Sequence, residues 1–346
     1  MSTSETAPDP LAARLTAYAA ALRATGAIRT DRVQEAFAAV RRDRCLTHFR
    51  LGDQHISVPQ DTIPTADVLD IVYSGQPLLT RTGAVPSSSS APTIMARMLE
   101  ALDPHLGHRV LEIGAGTGYN AALIAHLTRA PVVTVEAHPP TAAEATASIR
   151  RLALDDQITV LTHDGYHGAA GHAPYDRIIV TCGIAGIPPR WLDQLTGTGL
   201  ILAPVAHGGL HPILAVSPDG TAAARIGGDF MPAAGPLRHP ALVGRNPAQP
   251  VPTKPTVWST DLTGALDQTA YHDLWFHLAT RDTRITRAWM DDDDFDFTAG
   301  QLALHDPDHG TAWAQNTGRI IATHPDPGKH LTTLVSAWLD TGQPAL

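Results

Sequence analysis

The sequence predicts an α/β fold: an open, largely parallel sheet with helices on both faces, preceded by N-terminal helices and followed by a smaller α+β domain. Three observations favour this class. From Arg109 onward, short apolar runs alternate with helical segments, the pattern of a parallel sheet covered on both faces. A glycine-rich turn follows the first of these runs. Beyond residue 255 the composition changes, and five of the six tryptophans lie there: Trp258, Trp275, Trp289, Trp313 and Trp338.

Length and composition describe a globular protein with more than one domain. The 346 residues are 43% hydrophobic and 17% charged, which provides ample material for a core. No apolar run reaches the roughly 18 residues that a membrane span needs. The polar start MSTSETAPDP also lacks the basic and apolar stretches of a secretory signal. We therefore expect a cytoplasmic protein without a membrane partner.

Charge and metal-ligand content argue against two further classes. The net charge of -9 disfavours nucleic acid as a partner, because binding to phosphates depends on Lys and Arg. Cys45 and Cys182 lie far apart, so neither a disulfide framework nor a thiolate zinc site is indicated. The 18 histidines are scattered. We predict no metal.

The N-terminal region, residues 1–105, combines helices with loops. Apolar residues at three-to-four spacing predict helices over 8–26 and 30–42. Prolines and glycines then punctuate a stretch of loops and short strands that ends in a run of serines at 87–90. A further helix is predicted after Pro92.

Residues 106–235 carry the predicted sheet. Candidate strands lie at 109–113, 132–135, 158–162, 177–181, 200–204 and 212–216, with helices at 118–129, 140–153 and 188–195. The last strands are too close for helices between them, which predicts an antiparallel far edge. A Pro- and Gly-rich linker is predicted over 231–255. In the region 236–346 the tryptophans form either a small core or a binding surface, and a core is favoured because aromatic residues are usually buried.

The strongest signal for chemistry is the glycine turn after the first strand. Gly114, Gly116 and Gly118 are spaced G-x-G-x-G and permit close approach of a ligand at the carboxyl end of a strand. Tyr119 stands where a dinucleotide fingerprint continues, and no phosphate-binding lysine follows. Because this turn suits a nucleotide-like cofactor without phosphates, we predict S-adenosyl-L-methionine.

Two acidic residues at the following strand ends support the same cofactor. Glu136 closes the second strand, about 20 residues beyond the glycines, where a carboxylate can accept both ribose hydroxyls. Asp164 follows the third strand, where it can accept the adenine amino group. Each feature alone is ordinary, but their joint order favours a Rossmann-like class I methyltransferase. The predicted cofactor-binding set is Ser88, Glu112, Gly114, Gly116, Gly118, Tyr119, Glu136, Ala137, Asp164 and Gly165.

Several stretches resemble the protein-L-isoaspartate O-methyltransferase family across residues 27–235. They are the helix at 29–37, Ser90-Ala91-Pro92, the glycine motif at 112–119, His163-Asp164-Gly165, the run at 173–181, Ile187-Pro188 and the closing Asp229-Phe230-Met231-Pro232. The resemblance implies that the enzyme is a carboxyl O-methyltransferase.

The serine run marks both a match to the family and a departure from it. In the family, a Thr-Ile-Ser tripeptide precedes the Ala-Pro step, and its serine lies beside the substrate carboxylate. Ser90 matches that serine, whereas Ser88 and Ser89 differ from Thr-Ile in size and polarity. A flexible loop is the alternative interpretation of a serine run. We predict that Ser88, Ser89 and Ser90 form the catalytic rim.

The resemblance also leaves the substrate open. The serine run, and a C-terminal region without a recognised counterpart in the repair enzymes, favour a branch associated with ribosomally made peptide natural products. Such an enzyme would esterify an Asp side chain in a cyclised peptide, leading to aspartimide or isoaspartate, with residues 236–346 as an accessory, peptide-binding domain. Alternatives are isoaspartyl repair of damaged proteins, a small-molecule methyltransferase, and a peptide-binding scaffold with a vestigial active site.

An acidic stretch at 291–296 invites a calcium interpretation. It lacks the mid-loop glycine and the final glutamate of an EF-hand loop, so a solvated acidic turn is favoured.

Overall fold

A computed structural model describes residues 10–238, 256–262, 264–289 and 300–345 of the chain. Its N-terminal region pairs helices with a small antiparallel sheet of order β2-β1-β3-β4. The elements are α1 (Pro10–Ala24), α2 (Asp31–Ala39), β1 (His48–Leu51), β2 (Gln54–Ser57), α3 (Ala66–Val72), β3 (Leu78–Arg81), β4 (Ser87–Ser89) and α4 (Pro92–Leu102). The predicted helices are confirmed, although α2 ends three residues early and a 3-10 turn follows at Arg42–Cys45.

The central sheet confirms the predicted doubly wound architecture. It contains β5 (Val110–Ile113), β6 (Val132–Glu136), β7 (Ile158–Thr162), β8 (Tyr175–Val180), β9 (Leu195–Pro204), β10 (Ile213–Val216) and β11 (Ala222–Ile226). Three helices connect its parallel strands: α5 (Tyr119–Thr128), α6 (Pro139–Arg151) and α7 (Pro189–Leu192). The order is β11-β10-β9-β8-β5-β6-β7. Strands β5 to β9 pair in parallel, and β10 and β11 form the predicted antiparallel edge.

The helix predicted over 188–195 is too long. The chain leaves α7 after Leu192, and β9 begins at Leu195, five residues before the predicted strand. Thr196 and Gly197, both poor helix formers, occupy the start of β9 instead. Leu195 pairs with Tyr175 of β8, and this pairing extends β9 toward its N-terminal end.

Strand order places a crevice at the carboxyl end of β5. From β5, the chain builds β6 and β7 on one side and β8 and β9 on the other. Loops that leave in opposite directions open a cleft at such a switch point, which is where ligands bind in open α/β sheets. Every residue of β5 is buried, as expected for a strand with helices on both faces.

One hydrophobic cluster joins the N-terminal helices to the sheet. It runs from Leu15 and Phe37 through Leu99 of α4 to Leu123 of α5. The helices α1, α2 and α4 therefore pack as part of the same core as α5. This packing positions the serine strand β4 against the crevice.

The C-terminal region forms the predicted α+β unit. An antiparallel sheet of order β12-β16-β15-β14-β13 packs with two helices. The elements are β12 (Thr256–Ser259), α8 (Gln268–Arg281), β13 (Ile285–Arg287), β14 (Leu302–Asp306), β15 (Gly310–Ala314), β16 (Arg319–Ala322) and α9 (Pro325–Asp340). Trp275, Trp313 and Trp338 are buried in this unit, which confirms the prediction of a core.

Two sequence predictions fall outside the described residues. They are the larger part of the linker, at 239–255, and the acidic stretch at 291–296. Within the described ranges, none of the helices has the length and apolar character that crossing a bilayer would require.

Candidate active site

A cavity of about 1140 Å³, including its open mouth, lies at the carboxyl ends of β5 and β6. Glycine-turn, serine-strand and strand-tip residues line it together with the segment 230–234. Every predicted site residue except Gly118 contributes to its lining. This size suits a nucleotide-like ligand.

The glycine turn needs its glycines for two different reasons. Gly114 has φ +97°, and a Cβ there would lie 2.4 Å from Thr181 Oγ1. Gly118 has φ +79°, and a Cβ there would lie 3.3 Å from the Ala145 carbonyl oxygen of α6. Gly114 therefore shapes the pocket, whereas Gly118 permits close packing of α5 on α6.

Glu136 stands at the tip of β6, facing the glycine turn. Its Oε2 accepts a hydrogen bond from Gly116 N at 3.2 Å, and its Oε1 accepts one from His138 N at 3.0 Å. At the tip of β7, Asp164 Oδ1 accepts from Tyr166 N at 2.9 Å. Both carboxylates line the cavity and keep acceptor capacity for a ligand.

Glu112 and Tyr119 line the cavity wall, but their polar atoms are directed elsewhere. The buried Glu112 carboxyl accepts from Asn120 Nδ2 at 2.8 Å and from Thr134 Oγ1 at 2.5 Å. Burial raises the pKa of Glu112 to about 7. The Tyr119 ring lies edge-on to Phe37, with 6.3 Å between centroids. Its side chain therefore belongs to the core beneath the site.

The three predicted catalytic serines do not share one environment. Side chains alternate along β4, so Ser88 is half-buried while Ser89 is only 2% exposed. Ser90, just after the strand, is half-buried again. The Ser89 hydroxyl accepts a hydrogen bond from Arg42 Nε at 3.1 Å. All three line the cavity, but the more exposed Ser88 and Ser90 suit a role at its rim, whereas the Ser89 hydroxyl anchors the strand to Arg42.

Arg42 is a residue of this site that the sequence did not reveal. Its side chain is fully buried, and its guanidinium donates to backbone carbonyls at the end of β4 and at and after the end of α3. The acceptors are Val72 O at 2.8 Å, Gln76 O at 3.3 Å, Ser89 O at 3.1 Å and Ser90 O at 2.9 Å. In sequence it stands within Arg41-Arg42-Asp43-Arg44, a run typical of a solvated surface, so no local signal distinguishes it.

A further part of the cavity wall comes from the segment 230–234. Gly183 holds it by donating from its N to Met231 O at 2.9 Å and accepting at its O from Ala233 N at 2.8 Å. Phe230 and Pro232 line the cavity, and Met231 is exposed at its mouth. The family resemblance included this motif, but its place in the pocket depends on long-range packing.

These residues fit S-adenosylmethionine. Three neighbouring strand ends present a glycine turn and two carboxylates, and Gly116, Glu136 and Asp164 line one cavity. Within the described residues, no cluster of three or more His, Cys, Asp or Glu side chains is placed to hold a metal ion.

Fold and site together define a class I methyltransferase that uses S-adenosylmethionine. The family model described as Protein-L-isoaspartate(D-aspartate) O-methyltransferase (PCMT) matches residues 14–222. The chain therefore belongs to the PCMT family, and it is an S-adenosylmethionine-dependent carboxyl O-methyltransferase.

Two relatives have similar sequences over much of their length. A protein-L-isoaspartate O-methyltransferase of Methanopyrus kandleri is 39% identical over 158 residues, covering 45% of this chain and 69% of the relative. Protein-L-isoaspartate O-methyltransferase 2 of Polaromonas sp. is 37% identical over 178 residues, covering 50% of this chain and 82% of the relative.

Two solved structures share the fold. A structure titled protein-L-isoaspartate O-methyltransferase superposes with a TM-score of 0.56 and 24% identity over 95% of this chain and 93% of its own. A putative Plasmodium falciparum enzyme of the same name, in complex with S-adenosyl-L-homocysteine, superposes with a TM-score of 0.51 and 16% identity. The match covers 65% of this chain and 98% of the Plasmodium chain.

The first of these structures bears on the C-terminal domain. Residues 1–235 make up about two thirds of the chain, so a match over 95% extends into the region after 236. A chain of that title thus has a fold counterpart of this domain.

Proposed function

We propose that this enzyme methylates the free α-carboxylate of isoaspartyl residues in proteins or peptides. The observation that carries the proposal is the meeting of the serine strand with the glycine turn in one pocket. A Cβ placed on Gly116 would lie 3.6 Å from the Ser88 carbonyl oxygen. Membership of the PCMT family supports the choice of acceptor.

The chemistry asks for positioning more than for acid or base catalysis. A carboxylate with a pKa near 4 is already ionised at neutral pH. Methyl transfer forms an oxygen–carbon bond and breaks the sulfur–carbon bond of the cofactor, whose electron pair stays on sulfur. Holding the acceptor oxygen in line can remove roughly 7–11 kcal/mol of the barrier.

In this scheme the residues of the pocket divide the work. Glu136 and Asp164 would hold the ribose hydroxyls and the adenine amino group, with Ser88, Ala137 and Gly165 beside them. Ser90 would donate a hydrogen bond to one carboxylate oxygen and leave the other to attack. Arg42 would keep Ser90 in place through its carbonyl, 2.9 Å away.

An Asp side chain in a constrained or cyclised peptide is the competing acceptor. The departure of Ser88 and Ser89 from Thr-Ile favours it, since smaller, more polar side chains alter the pocket rim. Labelled cofactor should be incubated with an isoaspartyl peptide, its Asp twin and a constrained Asp peptide. We expect turnover of the isoaspartyl peptide alone; label confined to the constrained peptide would reverse the choice.

The same experiment separates two further alternatives. Turnover of none of the peptides, combined with micromolar cofactor binding by calorimetry, would favour a small-molecule acceptor. Failure to bind S-adenosylmethionine would favour a scaffold with a vestigial site.

A further inference from the structure

The C-terminal domain reaches the wall of the active-site pocket through one ion pair. Arg287, the last residue of β13, donates a hydrogen bond from Nη1 to Asp229 Oδ2. Asp229 directly precedes Phe230, which begins the segment 230–234 that lines the cavity. A charged side chain of the C-terminal domain therefore contacts the residue immediately before this wall.

Both partners of the ion pair are held by further contacts. Arg287 Nε donates to Gln301 Oε1 at 2.7 Å. His211 Nδ1 lies 3.3 Å from Asp229 Oδ1 and 3.3 Å from Phe230 N. Burial raises the pKa of Asp229, but the hydrogen bond with His211 and the charge of Arg287 outweigh it and lower the pKa below its usual value. The carboxylate is thus charged at neutral pH and paired.

A tight turn of the methyltransferase domain, at 207–210, contacts the C-terminal domain close to the Arg287–Asp229 ion pair. Trp275 Nε1 donates to Gly208 O at 2.8 Å, and His207 Nε2 lies 2.9 Å from Phe276 O. A Cβ on Gly209 would lie 2.4 Å from Arg287 N. This close packing locks the backbone of Arg287 against the methyltransferase domain.

We propose that the C-terminal domain braces the substrate-facing wall of the pocket, with Arg287 as a positioning residue that acts through Asp229. The inference rests on the proposed function and assigns to the domain a role in substrate binding. Glu136 and Asp164 accept their hydrogen bonds from Gly116, His138 and Tyr166, outside the segment 230–234, so the inference assigns the brace to the acceptor rather than to the cofactor carboxylates.

The test compares Arg287→Gln, Asp229→Asn and the double variant with the unchanged full-length enzyme. Each is assayed for kcat and KM on the isoaspartyl peptide and for cofactor affinity by calorimetry. Arg284→Gln is the matched control, because Arg284 is a half-exposed arginine of the same domain paired with Asp282 and Asp306 there.

We expect Arg287→Gln to raise the peptide KM about two- to fivefold, the range set by a partly exposed ion pair, with cofactor Kd and kcat within twofold. The double variant should be no worse than the poorer single variant, because the pair acts as one unit. Arg287→Lys should recover part of the loss, and Arg284→Gln should show none. Additive losses, or an equal loss in Arg284→Gln, would overturn the inference.

Backbone hydrogen exchange gives a readout independent of substrate identity. Arg287→Gln should speed exchange in residues 229–234 and leave residues 110–120 unchanged. If the parent enzyme does not methylate the isoaspartyl peptide, the proposed function is wrong. The hydrogen-exchange measurement then still tests whether Arg287 stabilises the segment 229–234. Unchanged exchange at 229–234 would rule the brace out.

Discussion

Glu112 is the residue whose environment makes the most direct prediction about stability. Burial raises the pKa of its carboxyl to about 7, far above the usual value for glutamate. Between about pH 4.5 and 7 the unfolded chain releases this proton while the folded chain retains it. Stability therefore falls as pH rises through this window, by about 3 kcal/mol in all, and stays lowered above it.

Glu112→Gln should remove this dependence, because an amide of the same size does not titrate. Relative to the parent, the free energy of unfolding of the variant should rise by about 2 kcal/mol between pH 5 and pH 7.5, as measured by urea denaturation at each pH. Glu35→Gln, on the exposed face of α2, serves as the control and should follow the parent. Parallel curves for Glu112→Gln and the parent would contradict the prediction.

At the scale of single elements, strand β4 separates three serines that sequence alone treats as equivalent. Ser90→Ala should lower kcat on the isoaspartyl peptide about ten- to hundredfold with cofactor Kd within threefold, since it removes a hydrogen bond to a charged oxygen. Glu136→Gln should show the converse, a weaker cofactor affinity at nearly constant kcat. Equal losses of both quantities in either variant would count against these roles.

Ser89→Ala tests the alternation within the same strand. Its hydroxyl accepts from Arg42 in the buried interior, so we expect a loss of about 1 kcal/mol in unfolding free energy and turnover within threefold. A kcat loss as large as that of Ser90→Ala would place Ser89 at the rim instead.

The elements of the fold differ in how well the sequence predicted them. Periodicity predicted the strands and helices of the central sheet, and the glycine and acid positions predicted residues that line one cavity, because these signals are local. The shortened α7 depended on pairing of Leu195 with Tyr175, and the roles of Arg42 and Ser89 depended on contact across 47 residues. Such long-range contacts leave no periodic trace in the chain.

At the scale of the whole molecule, Leu210 is a residue of the methyltransferase domain that is buried in the core of the C-terminal domain. It belongs to the turn between β9 and β10, yet it is 6% exposed and packs within the hydrophobic cluster that also contains Trp275. A leucine buried across such an interface stabilises the docked state, and its truncation leaves a cavity that neighbours fill only in part. Leu210 therefore couples the stability of the C-terminal domain to that of the methyltransferase domain.

Leu210→Ala should cost about 2–3 kcal/mol, and the cost should fall unequally on the two domains. Tryptophan fluorescence reports mainly the C-terminal region, which holds five of the six tryptophans, whereas cofactor binding reports the pocket. In urea, the fluorescence transition should move to lower denaturant further than the loss of cofactor binding does, because the tryptophan-rich core loses a packed side chain while the pocket lining stays intact. Leu106→Ala, at a side chain 72% exposed, should move neither transition. Equal displacement of both transitions would mean instead that the two cores unfold as a single cooperative unit despite the lost contact.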